Sequence, residues 1–265
     1  MTHRLVVALQ RLAMVARTGR YALPLAILLA ALAACDPRGS ASVEQLLKRS
    51  QEQRAAGNIR ASIIELKNAL QKDPKNATAR LLLGQTFIDL GDAASAEIEL
   101  KRAQELGADA GKAAISLGEV KVLQGRFDQV LRELPVPDSA SPEVKAAILE
   151  LRARAHLALG QRVQAEEAFK TAIETDAKAV EPLVGAARLA MAKGGTEAAN
   201  DYIARAAAIA PDNAKLLALQ GELAFLKKDF EGAETFYKQV LKSHKDDITG
   251  FNAQLGIARA QLASG

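Results

Sequence analysis

From Val43 onward, the sequence repeats at intervals of about 34 residues. In the clearest unit, Ala77 to Ala110, small residues occupy positions that let two helices approach closely, and large apolar residues fill the space beside them. Gly91 breaks the chain between these helices, and Pro74 ends the helix before them because proline cannot continue it. The small and large positions of this unit are Leu83, Gly84, Phe87, Ala96, Leu100 and Ala103.

The same positions recur in register along the chain. The third unit is degenerate because Pro135 and Pro137 cut its second helix short, and residues 138–142 form an irregular connection. The last helix is either a polar cap or the first half of a seventh unit. We predict six units that start near residues 43, 77, 111, 146, 180 and 214, followed by a final helix over residues 247–263.

Stacking of these units determines the expected architecture. One helix pair cannot bury its apolar face alone, so neighbouring pairs stack into a solenoid with a shared core. The composition favours helices, because Ala and Leu are abundant, Trp is absent and aromatic residues make up only 4% of the chain. The sequence therefore predicts an all-α superhelix of stacked helical hairpins over residues 43–265.

These units resemble tetratricopeptide repeats. The resemblance implies that the first helix of each unit lines a concave groove, at its second, fifth, ninth, twelfth and thirteenth positions. An apolar row of twelfth positions then lies beside a polar row of ninth positions, which suits an extended or helical segment of a partner protein. In the first unit these two positions are Gln51 and Arg54. In the other five units the ninth positions are Gln85, Glu119, Arg154, Arg188 and Glu222, and the twelfth are Ile88, Val122, Leu157, Met191 and Phe225.

Both rows also have a purely structural interpretation. The apolar row could be core between neighbouring repeats, since residues at helical spacing commonly pack against the next helix. The polar row could be an ordinary solvated face. The sequence leaves both interpretations open beside the groove hypothesis.

Residues 1–34 have the features of a secretory signal peptide. Arg17 and Arg20 precede an uncharged run from Tyr21 to Ala34. This run ends in small residues and is shorter than the roughly 20 residues that a membrane-spanning helix needs. Met14 is an alternative start, which would leave residues 14–34 as the signal.

The residues that end this signal resemble a bacterial lipobox. They read Leu-Ala-Ala-Cys, and Cys35 is the only cysteine of the chain. The resemblance implies a covalent lipid on Cys35 that anchors the protein to a membrane, with residues 35–42 as lipidated cysteine and linker. Asp36 resembles the signal for retention in the inner membrane. We expect a cell-envelope protein, on the periplasmic face of the inner membrane, with the outer membrane as the alternative.

Little in the sequence points to catalysis or to nucleic acid. The first 35 residues contain four arginines and no acid, so the rest of the chain has 31 basic and 31 acidic residues, without the basic excess of a nucleic-acid binder. His156 and His244 are far apart and form no metal-ligand pattern. Residues 107–113 lack the Ser or Thr of a phosphate-binding loop, since Ala113 stands there. We predict no enzyme activity, no metal and no cofactor besides the lipid.

A narrower resemblance rests on the lipobox together with the first unit, where residues 55–74 read AAGNIRASIIELKNALQKDP. This combination is similar to tetratricopeptide lipoproteins of the PEP-CTERM/exosortase system. The resemblance implies a non-catalytic scaffold for exopolysaccharide production or protein sorting. The alternative is a pilotin-like lipoprotein for secretin assembly in type IV pilus biogenesis, although Asp36 counts against its outer-membrane location. The partner and the oligomeric state stay open.

Overall fold

The structure is a computed structural model that describes residues 41–265. Within that range the chain forms thirteen helices and no strand, which confirms the predicted all-α class. The predicted signal peptide, Cys35 and Asp36 lie outside the described residues. The helices are α1 (Val43–Ala55), α2 (Ile59–Lys72), α3 (Ala77–Asp89), α4 (Ala93–Glu105), α5 (Ala110–Leu123), α6 (Phe127–Glu133), α7 (Pro142–Ala158), α8 (Arg162–Thr175), α9 (Val180–Ala192), α10 (Thr196–Ile209), α11 (Ala214–Leu226), α12 (Phe230–Val240) and α13 (Ile248–Ser264).

Polar residues fix where many of these helices begin. At seven helix starts, an Asn, Asp or Ser side chain accepts a hydrogen bond from a backbone N–H of the first turn, which would otherwise have no partner. These caps are sequence signals that act locally and do not depend on the rest of the fold. The capping residues are Asn76, Asp92, Asp109, Ser141, Asn213, Asp229 and Asp247.

The helices pack as successive pairs, from α1 with α2 to α11 with α12, and α13 packs against α12. Each second helix also contacts the first helix of the next pair, and from α3 to α13 neighbouring first helices contact one another. Small residues make this packing possible: a Cβ on Gly84 would lie 2.5 Å from Cγ of the fully buried Leu100. Val43–Gly265 therefore forms one compact unit built from stacked helix pairs.

The third pair departs from this pattern. Its second helix, α6, is only 7 residues long, and the chain then runs through Pro135 and Pro137 to α7, which begins at Pro142 with Ser141 as its cap. The fourth pair thus begins a few residues before the unit start near residue 146. Arg152 of α7 donates hydrogen bonds from Nη1 to the carbonyl oxygens of Leu131, at 2.8 Å, and Leu134, at 3.2 Å. This guanidinium partners carbonyls at the end of the shortened helix.

The two ends of this unit approach each other. The connection between α12 and α13 lies against the turn between α1 and α2, where a Cβ on Gly57 would lie 2.3 Å from the carbonyl oxygen of Ser243. A Cβ on Gly91, in the next turn, would lie 3.7 Å from Cδ1 of Ile248. The stack therefore curves enough within residues 43–265 to bring its first and last pairs into contact.

Candidate partner-binding groove

The first helices of successive pairs share an inner surface, which we call the groove. A central cavity of about 610 Å³ opens on it and is lined by residues of α1, α3, α5, α7, α9 and α11. A second cavity, of about 790 Å³, adjoins the central cavity. Cavities of this size are typical of ligand sites. The two cavities share Arg54, Gln85, Asp89, Ile115, Ser116, Glu143 and Ala147.

Three of the predicted groove residues line the central cavity. Gln85 and Ile88 of α3 lie beside Glu119 of α5 in its wall. Nε2 of Gln85 donates a hydrogen bond to Oγ of Ser116 at 3.2 Å, which links the two helices across the groove. The structure therefore brings part of the predicted set together at one cavity.

Three others line a smaller cavity near the C-terminal end. Met191, Glu222 and Phe225 surround a space of about 250 Å³ together with Arg259 of α13. The guanidinium of Arg259 lies over the Phe225 ring, 5.2 Å from its centroid, in cation–π geometry. These residues are thus separated from the central cavity.

The remaining predicted residues line neither of these cavities. Val122 and Leu157 pack against hydrophobic core clusters, and so do the cavity-lining Ile88, Met191 and Phe225, as the structural interpretation of the apolar row expects. Arg154 and Arg188 instead pair with carboxylates of neighbouring first helices. Nη1 of Arg154 lies 2.9 Å from Glu119, and Nη2 of Arg188 lies 3.1 Å from Glu222.

Sequence reasoning missed several charged residues of the central cavity. Glu150, Glu181 and Lys215 line it, together with Glu143 and Lys178. Glu150 is at the fifth position of its unit, and Glu181 and Lys215 are at second positions. The tetratricopeptide resemblance names these positions as groove-facing, so the second and fifth positions carry the same sequence signal as the ninth and twelfth.

Glu150 of the central cavity is almost fully buried, with only 7% of the residue exposed. Its carboxylate lies 3.7 Å from Nη1 of Arg154, too far for a hydrogen bond, because that guanidinium donates to Glu119 instead. Burial raises the pKa of Glu150 to about 6, and the attraction of Arg154 only partly offsets this. Burial lowers the pKa of Arg154, but the carboxylates of Glu150 and Glu119 more than offset this and raise it overall, so the guanidinium stays charged.

A second polar contact lies at the second cavity. His244 and Asp247 both line this cavity. Nδ1 of His244 lies 2.5 Å from Asp247, whose carboxylate also accepts the backbone N–H of Gly250 at the start of α13. The hydrogen bond that the His244 ring makes to the Asp247 carboxylate raises the pKa of His244. This contact orders the connection that faces the first helix pair.

Among residues 41–265, no cluster of three or more His, Cys, Asp or Glu side chains has the arrangement to hold a metal ion. None of the helices in the same range combines the length and apolar character needed to cross a membrane.

Stacked helix pairs with a cavity on their inner surface define a class, the helical-repeat proteins that bind other proteins along a groove. The chain belongs to the tetratricopeptide repeat-like domain family, whose sequence model matches residues 35–193. A further tetratricopeptide repeat model matches residues 184–248. No curated protein matches the chain.

Solved structures share the fold at low sequence identity. A tetratricopeptide repeat protein from Parabacteroides merdae aligns with a TM-score of 0.60 and 18% identity, covering 89% of this chain and 90% of that one. PilF of Pseudomonas aeruginosa aligns with a TM-score of 0.51 and 19% identity, covering 80% and 96%. PilW, a type IV pilus biogenesis factor, aligns with a TM-score of 0.52 and 17% identity, covering 80% and 98%.

Proposed function

We propose that this protein is a non-catalytic scaffold that holds a segment of a partner protein in its groove. The observation that carries the proposal is the central cavity, which first helices from six successive pairs line together. A surface assembled from many repeats contacts an extended segment along its length, and this is how solenoids commonly recognise partners.

Site-specific photocrosslinking in intact cells tests the groove directly. A photoreactive amino acid at Ala147, which lines both cavities, should trap a discrete protein partner. The matched control is Val163 of α8, which is 79% exposed and lines neither cavity. If both positions give the same crosslinks, or neither gives any, the groove does not hold a partner.

The same proposal places the protein in the bacterial cell envelope through a lipid on Cys35. Its support is the lipobox-like sequence before Cys35 and the uncharged run that precedes it. Asp36 favours the periplasmic face of the inner membrane over the outer membrane. Two or more acyl chains give stable anchoring, because each buried CH₂ contributes about 0.8 kcal/mol.

Replacing the acylated sulfur tests the anchor. We expect Cys35→Ala to abolish labelling by radioactive palmitate and to remove the protein from the membrane fraction or block its processing. Asp36→Ser, which keeps the cysteine, should retain the label and change only which membrane holds the protein. Membrane association that is unchanged in Cys35→Ala would contradict lipid anchoring.

We propose that the scaffold serves exopolysaccharide production or PEP-CTERM protein sorting. The support is the resemblance of its lipobox and first unit to lipoproteins of that system. A role in type IV pilus biogenesis is the second candidate, because the likeness to PilF and PilW covers nearly the full length of both proteins. Deletion of the gene distinguishes them. Loss of surface polysaccharide with intact pili supports the first role, loss of pili with intact polysaccharide supports the second, and loss of neither contradicts both.

A further inference from the structure

We propose that the central cavity binds a cationic segment of the partner, with a Lys or Arg side chain of that segment seated against Glu150. This inference rests on the proposed scaffold function and names the chemistry of the bound segment. It follows from the arrangement of charges around one buried carboxylate.

Negative charge exceeds positive charge around Glu150. Arg154 lies on the same helix, one turn away, and Lys215 approaches from α11. Glu119 of α5 and Glu181 of α9 bring two further negative charges into the same environment. Three carboxylates therefore face two cations, which leaves one negative charge without a counter-charge.

Two cations near Glu150, Arg154 and Arg54, are already engaged with other carboxylates. Arg154 donates its hydrogen bond to Glu119, so Glu150 has an ion pair at 3.7 Å but no hydrogen bond from that guanidinium. Arg54, another cation of the cavity wall, is held by two contacts to Asp89, at 2.5 and 3.0 Å. Hydrogen bonds from a charged donor stabilise a buried carboxylate, so an incoming ammonium or guanidinium would gain a favourable contact with Glu150.

Glu150 can be reached from the groove through the central cavity. Glu150 lies in the wall of the cavity of about 610 Å³, which has room for more than one side chain. The wall as a whole carries six carboxylates, from Asp89, Glu119, Glu143, Glu150, Asp176 and Glu181, and three cations, from Arg54, Lys178 and Lys215. Counting Arg154 behind the wall still leaves an excess of negative charge, so a positively charged segment is electrostatically complementary to it.

Three pools of labelled peptides test the charge preference. Each pool contains extended peptides with the same degenerate mixture of uncharged residues, and the fixed positions are Lys, Gln or Glu. Binding to the full chain in uncharged detergent is followed by fluorescence anisotropy at pH 7.5. We expect the Lys pool to bind about tenfold more tightly than the Gln pool, and the Glu pool to bind most weakly.

Two charge-matched variants assign that preference to the cavity. Glu150→Gln combined with Glu181→Gln should reduce affinity for the Lys pool about tenfold while leaving the Gln pool unchanged. The control combines Glu105→Gln and Glu197→Gln, which remove the same charge from exposed positions on α4 and α10 and should leave both affinities unchanged.

Each outcome separates the inference from the function on which it rests. Equal binding of the Lys and Gln pools, or equal losses in the cavity and control variants, would overturn the cationic preference and leave the groove as a binding surface. No binding by any pool would overturn both. Far-UV circular dichroism of every variant establishes that a lost affinity is not a lost fold.

Discussion

At the scale of single residues, Glu150 is a buried carboxylate in the wall of a cavity. It is almost fully buried, yet it faces a cavity and shares one guanidinium with Glu119. Because burial raises its pKa to about 6, its charged form opposes folding at neutral pH. Such a cost is typical of a residue retained for binding, since functional sites often lower stability.

The cost of this charge can be measured through pH. The pKa of Glu150 in the folded protein lies above its ordinary value of 4.5, so the folded state binds the proton more tightly than the unfolded state. Its contribution to stability is present at low pH and is lost as pH rises from about 4.5 to about 6. We expect Glu150→Gln to be more stable than the wild type by about 2 kcal/mol at pH 7.5 and equally stable near pH 3.5, below both pKa values.

Urea unfolding at both pH values measures this difference. The control is Glu174→Gln, because the Glu174 side chain is 65% exposed and its ion pair with Lys170 spans 4.0 Å. An exposed pair of this kind contributes little, so the control should be within about 0.5 kcal/mol of the wild type at either pH. A Glu150→Gln variant whose advantage does not depend on pH would contradict the assignment.

At the scale of helices and turns, the boundaries were largely readable from local signals. Capping residues, glycines at turns and prolines act on the backbone within a few residues, so the sequence alone identifies them. The shortened α6 was predictable from Pro135 and Pro137. Its stabilisation by Arg152 was not, because the hydrogen bonds to Leu131 and Leu134 come from the next helix.

One turn uses a residue that its conformation disfavours. The turns within the first five pairs contain a glycine with positive φ, from +70° at Gly125 to +77° at Gly57, whereas Lys228 occupies this position between α11 and α12 with φ of 64°. A left-handed conformation costs a residue with a Cβ about 1–2 kcal/mol. We expect Lys228→Gly to stabilise the protein by about 1 kcal/mol, a rise of roughly 2–4 °C in Tm.

Thermal unfolding followed by circular dichroism tests this expectation. Lys228→Ala is the matched variant, since it removes the same exposed side chain but keeps the strain of a Cβ at positive φ. Its Tm should stay near that of the wild type. If Ala stabilises as much as Gly, the effect comes from the lysine side chain and not from the backbone.

At the scale of the whole unit 43–265, the contact between its ends sets the curvature of the groove. Gly57 has φ of +77°, and a Cβ there would also meet the Ser243 carbonyl oxygen. Gly160 is a control for the cost of a Cβ at positive φ without any steric contact. Its φ is +76°, and nothing lies within 4 Å of its Cβ position. The two positions therefore differ in the contact between the first and last pairs.

We expect both Gly57→Ala and Gly160→Ala to destabilise the protein by about 1 kcal/mol through their positive φ, and Gly57→Ala to lose roughly 1 kcal/mol more. Only Gly57→Ala should also increase the radius of gyration, as measured by small-angle X-ray scattering. Equal stability losses and equal radii for the two variants would show that the end contact does not hold the curvature.

The sequence by itself determined that this chain stacks helix pairs. A period of about 34 residues fixes which faces are apolar, and those faces can be buried only against the neighbouring pair. The sequence also predicted that Gln85, Ile88 and Glu119 face the groove, because their positions in the repeat are groove-facing positions. All three line the central cavity.

Only the tertiary structure decided how far the stack curves, which inward positions share one cavity, and which became core. Val122 and Leu157 pack against hydrophobic core clusters, whereas Glu150 of α7 and Glu181 of α9 line the central cavity together. The physical reason is that curvature accumulates from small rotations between pairs, and these depend on side-chain packing between residues distant in sequence. The charge of the cavity is therefore a property of the assembled surface and not of any single repeat.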